Sequence, residues 1–292
     1  WDKPLTYTII GQDAERHRSH IQKAMREAAR WTQLETTEAS TESGSKDAAM
    51  LTFEVVKNDA LEDTMPCVTT SKWANGAFTN VVVKMQSKSA WGCTFHEVMH
   101  AMGVAGHPSG KTVLSYFPYR RDEFMALDQL MLRVWYDPSI ARGATPLEAL
   151  VALTNAVSKQ TDLDISAEQA LERSLAFNLR AVEQIKALAL GKGEVPSIVQ
   201  RSGRASTQFI EAARPLAAYF VALAYLRGTI VARDTATANN WFKVSAQYGY
   251  SAGQVMWARA LIKGDGMEID RNAAHGWLSL AAKSNNSVAR TE

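Results

Sequence analysis

Cysteine is scarce: Cys67 and Cys93 are the only two in 292 residues. At most one bridge can form within the chain. Two free thiols suit a cytosolic protein, and a single pair beside a functional site suits a secreted or periplasmic one, so the count leaves both open. Long apolar runs are missing too. None approaches the ~20 residues a helix needs to cross a bilayer, which excludes a membrane span of that kind. Neither sign of charge prevails, since 32 Lys and Arg stand against 30 Asp and Glu for a net of +2. That balance offers no footprint for nucleic acid or for an anionic membrane surface. Methionine is absent from the first position, where Trp1 stands. This is the start expected of a processed or truncated product whose signal peptide has gone.

What is present suffices for two domains of ordinary size, with 46% hydrophobic residues to build their cores. The first part reads as mixed α/β. "LTYTIIG" (5–11) is short and β-branched, so a strand. Asp13 is placed to cap a helix in which Ile21, Met25, Ala28 and Trp31 recur at helical spacing, to about Leu34. "TTEASTESGSKD" (36–47) reads as a loop. "AMLTFEVV" is a second strand, and "AFTNVVVKM" a third after a turn at Asn75-Gly76. "WGCTFHEVMHAMG" is a helix that glycine stops at Gly103. "DEFMALDQLMLRVWY" is another, closed by Asp137-Pro138. Residues 1–143 are therefore expected to form one domain.

Beyond Gly143 strand signals vanish and alanine and leucine dominate, so 144–292 reads as an all-helical region. Ser166 and Gln169 form a capping-box pattern, and the helix they open runs to Gly191. Two segments then repeat at one offset. Ala222, Gly228, Asp234, Ala238, Trp241 and Ala246 fall on Ala258, Gly264, Asp270, Ala274, Trp277 and Ala282, each pair separated by 36 residues. A period of this size signals stacked helical hairpins, with clear copies at about 215–250 and 252–287. Alanines let paired helices approach, glycine makes the turn and tryptophan fills the space between neighbours. This pattern resembles the Sel1-like repeat family, a relative of tetratricopeptide repeats. The resemblance implies a solenoid whose surface takes a protein partner.

Three of the six histidines lie in "CTFHEVMHAMGVAGHPSG". A helix puts His96 and His100 on one face, one turn apart, so both can present nitrogens to one ion. Zn²⁺ accepts histidine nitrogens at about 2.0–2.1 Å in a tetrahedral shell, with a position left open for water in catalytic sites. Glu97, beside the first ligand, can reach that water without binding the metal, which is the logic of H-E-x-x-H. His17 and His20, in "ERHRSHIQK", read as solvated, and His275 as surface or packing within a repeat.

With Gly103 and His107 added, the stretch resembles the metzincin metallopeptidases, whose signature is H-E-x-x-H-x-x-G-x-x-H. Downstream, "TVLSYF" looks like the family's Met-turn, and "ALDQLMLRVWYDP" like its closing helix. The region also resembles a group of exported bacterial proteins, which favours a Cys67–Cys93 bridge and a secreted or periplasmic location. The resemblance spans roughly residues 2–138 and has two departures. The third histidine is His107, one residue late, where the family has its histidine at the position of Gly106. Leu114 stands where the Met-turn has methionine. Gly103 and Gly106 together permit a bulged turn that returns His107 to the metal.

The expected architecture is α+β: a metzincin-like mixed α/β domain followed by an all-α Sel1-like solenoid. The expected function is a zinc-dependent endopeptidase. His96, His100 and His107 hold Zn²⁺, and Glu97 serves as general base. Tyr116 either assists at the developing oxyanion or is a core tyrosine. The substrate is a peptide or protein, aligned on the third strand as a sheet edge and recruited by the repeats. The alternative is a catalytically silent metal-binding or repeat-scaffold protein that mediates protein–protein interaction, and the displaced His107 is its best support.

Overall fold

The computed structural model describes residues 1, 3–39, 50–62, 64–74, 77–108, 110–115, 122–141, 143–160, 165–192 and 204–284, with 204–209 as backbone only. The chain falls into two compact units, Trp1–Gly143 and Ala144–Glu292.

The first unit is built on a five-stranded sheet. Its strands are β1 (Leu5–Gly11), β2 (Thr36–Glu38), β3 (Leu51–Val56), β4 (Cys67–Ala74) and β5 (Ala77–Gln86), in the order β2-β1-β3-β5-β4. Neighbours are parallel except β4 and β5, which are antiparallel. The helices are α1 (Ala14–Thr32), α2 (Ala90–Ala101) and α3 (Ala126–Trp135). Strand alternation sorts the residues. Leu5, Tyr7 and Ile9, then Leu51, Phe53 and Val55, then Val81, Val83 and Met85 all point into one core. They meet Ile21, Ala24, Met25 and Ala28 of α1 and Phe95, Val98 and Met99 of α2. Each large side chain so buried contributes about 1.5–3 kcal/mol.

Four expectations need correction. Thr36–Glu38 is not loop but a short strand beside β1. Asp13 is the N-cap of α1 as expected, but its side chain makes no cap bond. The expected third strand, β5, is not an edge: it lies between β3 and β4, and the edge strands are β4 and, on the far side, β2. The fourth concerns His17 and His20. His17 is buried at 6% exposure, because it follows Ala14 and precedes Ile21 on the face of α1 that meets the core. His20 is half-buried, stacked on Trp91 with its Nε2 3.0 Å from the Trp91 carbonyl oxygen. The turn at Asn75-Gly76 lies outside the described residues.

The second unit is helical among its described residues: α4 (Pro146–Ser158), α5 (Ala167–Ala189), α6 (Arg204–Arg227), α7 (Thr235–Gln247), α8 (Ser251–Lys263) and α9 (Arg271–Lys283). Ser166 and Gln169 form the capping box at the head of α5. The 36-residue period is physical. α7 and α9 begin and end at equivalent positions, and α6 and α8 end at equivalent positions. Gly228 and Gly264 both adopt left-handed angles, φ 73° and 72°. Asp234 and Asp270 each cap the next helix by accepting a bond from a backbone N–H three residues on, Thr237 and Ala273. Ala222, Ala258, Ala238 and Ala274 are almost fully buried where the helices touch. Pro215, inside α6, corresponds to Ser251 at the start of α8, so the first copy carries an N-terminal helical extension that the second lacks.

Candidate metal centre

Helix α2 carries the first two histidines and then stops by a complete glycine turn. Gly103 at φ 89° donates to the His100 carbonyl, and Val104 donates to that of Met99. This turn brings the Val104 carbonyl back to His100, whose Nδ1 lies 2.9 Å from it. His96 Nδ1 lies 2.9 Å from the Val113 carbonyl. A carbonyl oxygen can only accept, so each Nδ1 donates, and in the neutral ring Nε2 keeps the lone pair. The two Nε2 atoms are 3.1 Å apart.

Gly106, at φ 86°, makes a second left-handed step and turns His107 inward. His107 Nε2 is 3.2 Å from His96 Nε2. One nitrogen from each of the three rings lies within 4.8 Å of the other two. The extra residue relative to the metzincin spacing is taken up in the turn and does not carry the ring away.

This donor set fits Zn²⁺. The Nε2 lone pairs of neutral His96 and His100, aimed at one another at 3.1 Å, repel unless they share a cation. Two nitrogens bound to one zinc in a tetrahedral shell are about 3.3–3.4 Å apart, close to what the rings adopt. Three imidazoles leave one position of the shell for a non-protein ligand, and each Nδ1–H···O=C bond fixes the ring orientation that a ligating histidine needs.

Glu97 is 5% exposed, and its Oε2 accepts a 2.6 Å bond from the Thr69 hydroxyl of β4. Burial pushes its carboxyl above the usual range, against the pull of the Thr69 hydroxyl and of His100 and His107. Burial likewise lowers His107, helped by the neighbouring His96 and His100. A disulfide joins Cys67, at the start of β4, to Cys93, one turn before Glu97.

Leu114, at the position that the metzincin resemblance gives to the Met-turn methionine, is fully buried in the core of the first unit. The turn that holds it is pinned by Asp128 of α3, itself fully buried. The Asp128 carboxylate accepts from the Thr112 hydroxyl, from Val113 N at 3.1 Å and from Met125 N at 2.8 Å. Burial raises its pKa, and those three donors oppose the rise. Asp128 thus holds the backbone whose carbonyl orients His96. Tyr116 lies outside the described residues.

Sequence reasoning brought His96, Glu97, His100, His107 and the cysteine pair to one place. It missed Thr69 and Asp128. Thr69 carried no legible signal, because its alternation with Cys67 on one strand face appears only once β4 is known to be a strand. Asp128 had a faint one, an acidic residue in the first turn of a helix that begins just after the site.

No family model matches the chain, and no curated protein matches it. Two similar solved structures are Sel1-type proteins. One is a Sel1 repeat protein from Oxalobacter formigenes, at 21% identity and a TM-score of 0.28, covering 50% of this chain and 86% of that one. The other is a protective antigen present in uropathogenic Escherichia coli strains and displaying an SLR fold, at 22% identity and a TM-score of 0.26. That match covers 56% of this chain and 34% of the antigen.

Proposed function

We propose that the first unit is a zinc-dependent peptidase and that the helical repeats take a protein substrate or partner. The observation that carries this reading is the convergence of three imidazole nitrogens, with the Glu97 carboxylate beside them on the same helix. When bound, zinc would polarise the scissile carbonyl and acidify a water molecule to a pKa near 7. The chain's own groups do the rest. His96, His100 and His107 hold the ion. Glu97 Oε2 is committed to Thr69, so the carboxylate is oriented and its other oxygen is the one to take a proton from water and return it to the leaving amine. The buried setting of Glu97, which raises its pKa above the usual carboxylate range, is the direction that suits a group which must both accept and release a proton. The metzincin resemblance agrees with this assignment. The disulfide agrees with an extracytoplasmic location, and no helix among the described residues is long and apolar enough to cross a membrane.

A second reading is favoured by the hairpin repeat. The second unit would be the working part, a protein-binding scaffold, and the histidine site would be structural. Glu97→Ala separates the two. On the peptidase reading, the variant keeps one zinc per chain, because Glu97 is not a ligand. It loses peptide hydrolysis by at least about a hundredfold, the lower end of what a positioned general base supplies. A wild-type protein that holds zinc yet cleaves no member of a broad peptide library would leave the scaffold reading in place.

A further inference from the structure

Strand β4 runs along helix α2 and is joined to it at two levels, with a third level just beyond the helix end. Cys67 is bonded to Cys93, and Thr69 donates to Glu97. Farther on, Trp73 packs on Phe78 of β5 with ring centroids 4.4 Å apart and the planes tilted by 49°, and Phe78 reaches Gly103 just past the end of α2. An irregularity in the β4–β5 ladder explains the third level. Lys72 lies opposite Asn80, but Trp73 lies opposite Phe78, so β5 has one extra residue, Thr79, at that point. The shift brings Phe78 to the helix-facing side of the sheet, where it packs on the core and under Trp73. Gly103 completes the feature. A β-carbon there would come within 3.0 Å of Trp135 Nε1 and 3.2 Å of the Phe78 ring, so two aromatic walls close on a position that carries no side chain.

Phe78 is packed on the core and against Trp1, whose ring centroid is 5.2 Å away, but the Trp73 and Trp135 rings are not spent there. Trp73 is 65% exposed and Trp135 44%. Large aromatic surface left in water at the rim of a functional site is a costly arrangement that a ligand relieves. β4 is a sheet edge, and among the described residues nothing pairs with its outer side. An extended peptide can therefore add to it as a strand. Thr69 and Trp73 are four residues apart, about 13 Å at the rise of a strand.

We infer that Trp73, Phe78 and Trp135 form a recognition subsite for an aromatic side chain of an extended peptide, four positions from the residue that lies opposite Thr69. The inference rests on the peptidase reading for its choice of occupant. It adds what that reading lacks, a specificity element remote from the reacting bond. The β-strand alignment fixes the spacing, and ring stacking on Trp73 supplies the selectivity.

The test measures binding, so that it does not depend on turnover. Glu97→Gln full-length protein is titrated into fluorescein-labelled ten-residue peptides that carry a single Phe scanned through every position, with anisotropy as the readout. The expected result is one Phe position that binds about tenfold tighter than the rest, the worth of one good aromatic contact. Trp73→Ala should flatten the scan, and Trp73→Phe should restore it. Trp73 is exposed, so its truncation leaves folding intact, and unchanged zinc content in the variant verifies this. A flat scan with Glu97→Gln, or a peaked scan unchanged by Trp73→Ala, overturns the inference, even if the wild type binds zinc and cleaves peptides. A peaked, Trp73-dependent scan in a protein that cleaves nothing would support the subsite while defeating the peptidase.

Discussion

At the scale of single residues, the centre depends on atoms that commit each side chain to one role. His96 and His100 spend Nδ1 on backbone carbonyls, which in the neutral rings leaves the lone pair on Nε2. Glu97 spends one oxygen on Thr69. Asp128 spends its carboxylate on three donors that shape the turn behind His96. Away from the centre, His17 and His20 are held neutral chiefly by burial, which lowers both pKa values below the ordinary 6.5. Around His17, Arg16 adds to the lowering, and Asp13 and the Ser87 contact oppose it. Around His20, Lys23 lowers and the Trp91 carbonyl and Asp122 raise. The unfolded chain therefore binds protons that the folded chain refuses. Stability is fully present above pH 6.5 and is lost as pH falls toward the folded values. Thermal melts of the metal-free protein should show the first unit's transition dropping below pH 6.5. His17→Gln should drop less steeply, whereas parallel curves for the two proteins would show that His17 does not titrate on unfolding.

At the scale of elements, the pairing of β4 with α2 organises the site. The Cys67–Cys93 bridge and the Thr69–Glu97 bond join the same two elements two and four residues apart. Replacing both cysteines by serine should destabilise the first unit by about 3 kcal/mol, as expected for a closed loop of this length. The denaturant midpoint of the transition that releases metal would move accordingly, and an unchanged midpoint would mean the bridge constrains nothing. The two elements were unequally legible in the sequence. α2 announced itself through its apolar residues, its histidine spacing and a glycine stop whose left-handed angle the structure reproduces. β4 did not, because five of its eight residues are exposed and "CVTTSKWA" lacks the apolar alternation of a half-buried strand. Overlooking it made β5 look like the edge. β2 was illegible for another reason: three residues, Thr36–Glu38, carry too little pattern to stand out from a polar loop. His17 was misread from its charged neighbours Arg16 and Arg18, although its spacing to Ile21 already put it on the buried face. In the second unit, by contrast, equal turn glycines, capping aspartates and contact alanines appear twice in the same order, so the repeat could be read directly and the helix ends follow it.

At the scale of the molecule, a sheet-and-helix unit bearing a three-histidine cluster shares the chain with a helical-hairpin unit. Each unit has its own core. The proposed peptidase function requires the first unit to hold a single zinc ion on His96, His100 and His107. Calorimetric titration of metal-free full-length protein with Zn²⁺, run in parallel on His107→Ala, tests it most directly. Outer partners of ligating histidines alone are worth roughly 10–100-fold in metal affinity, so losing a ligand should weaken binding by at least that much. One equivalent of Zn²⁺ per wild-type chain is expected, with an affinity at least about tenfold weaker in His107→Ala. No stoichiometric binding in the wild type, or equal affinity in the two proteins, would contradict it.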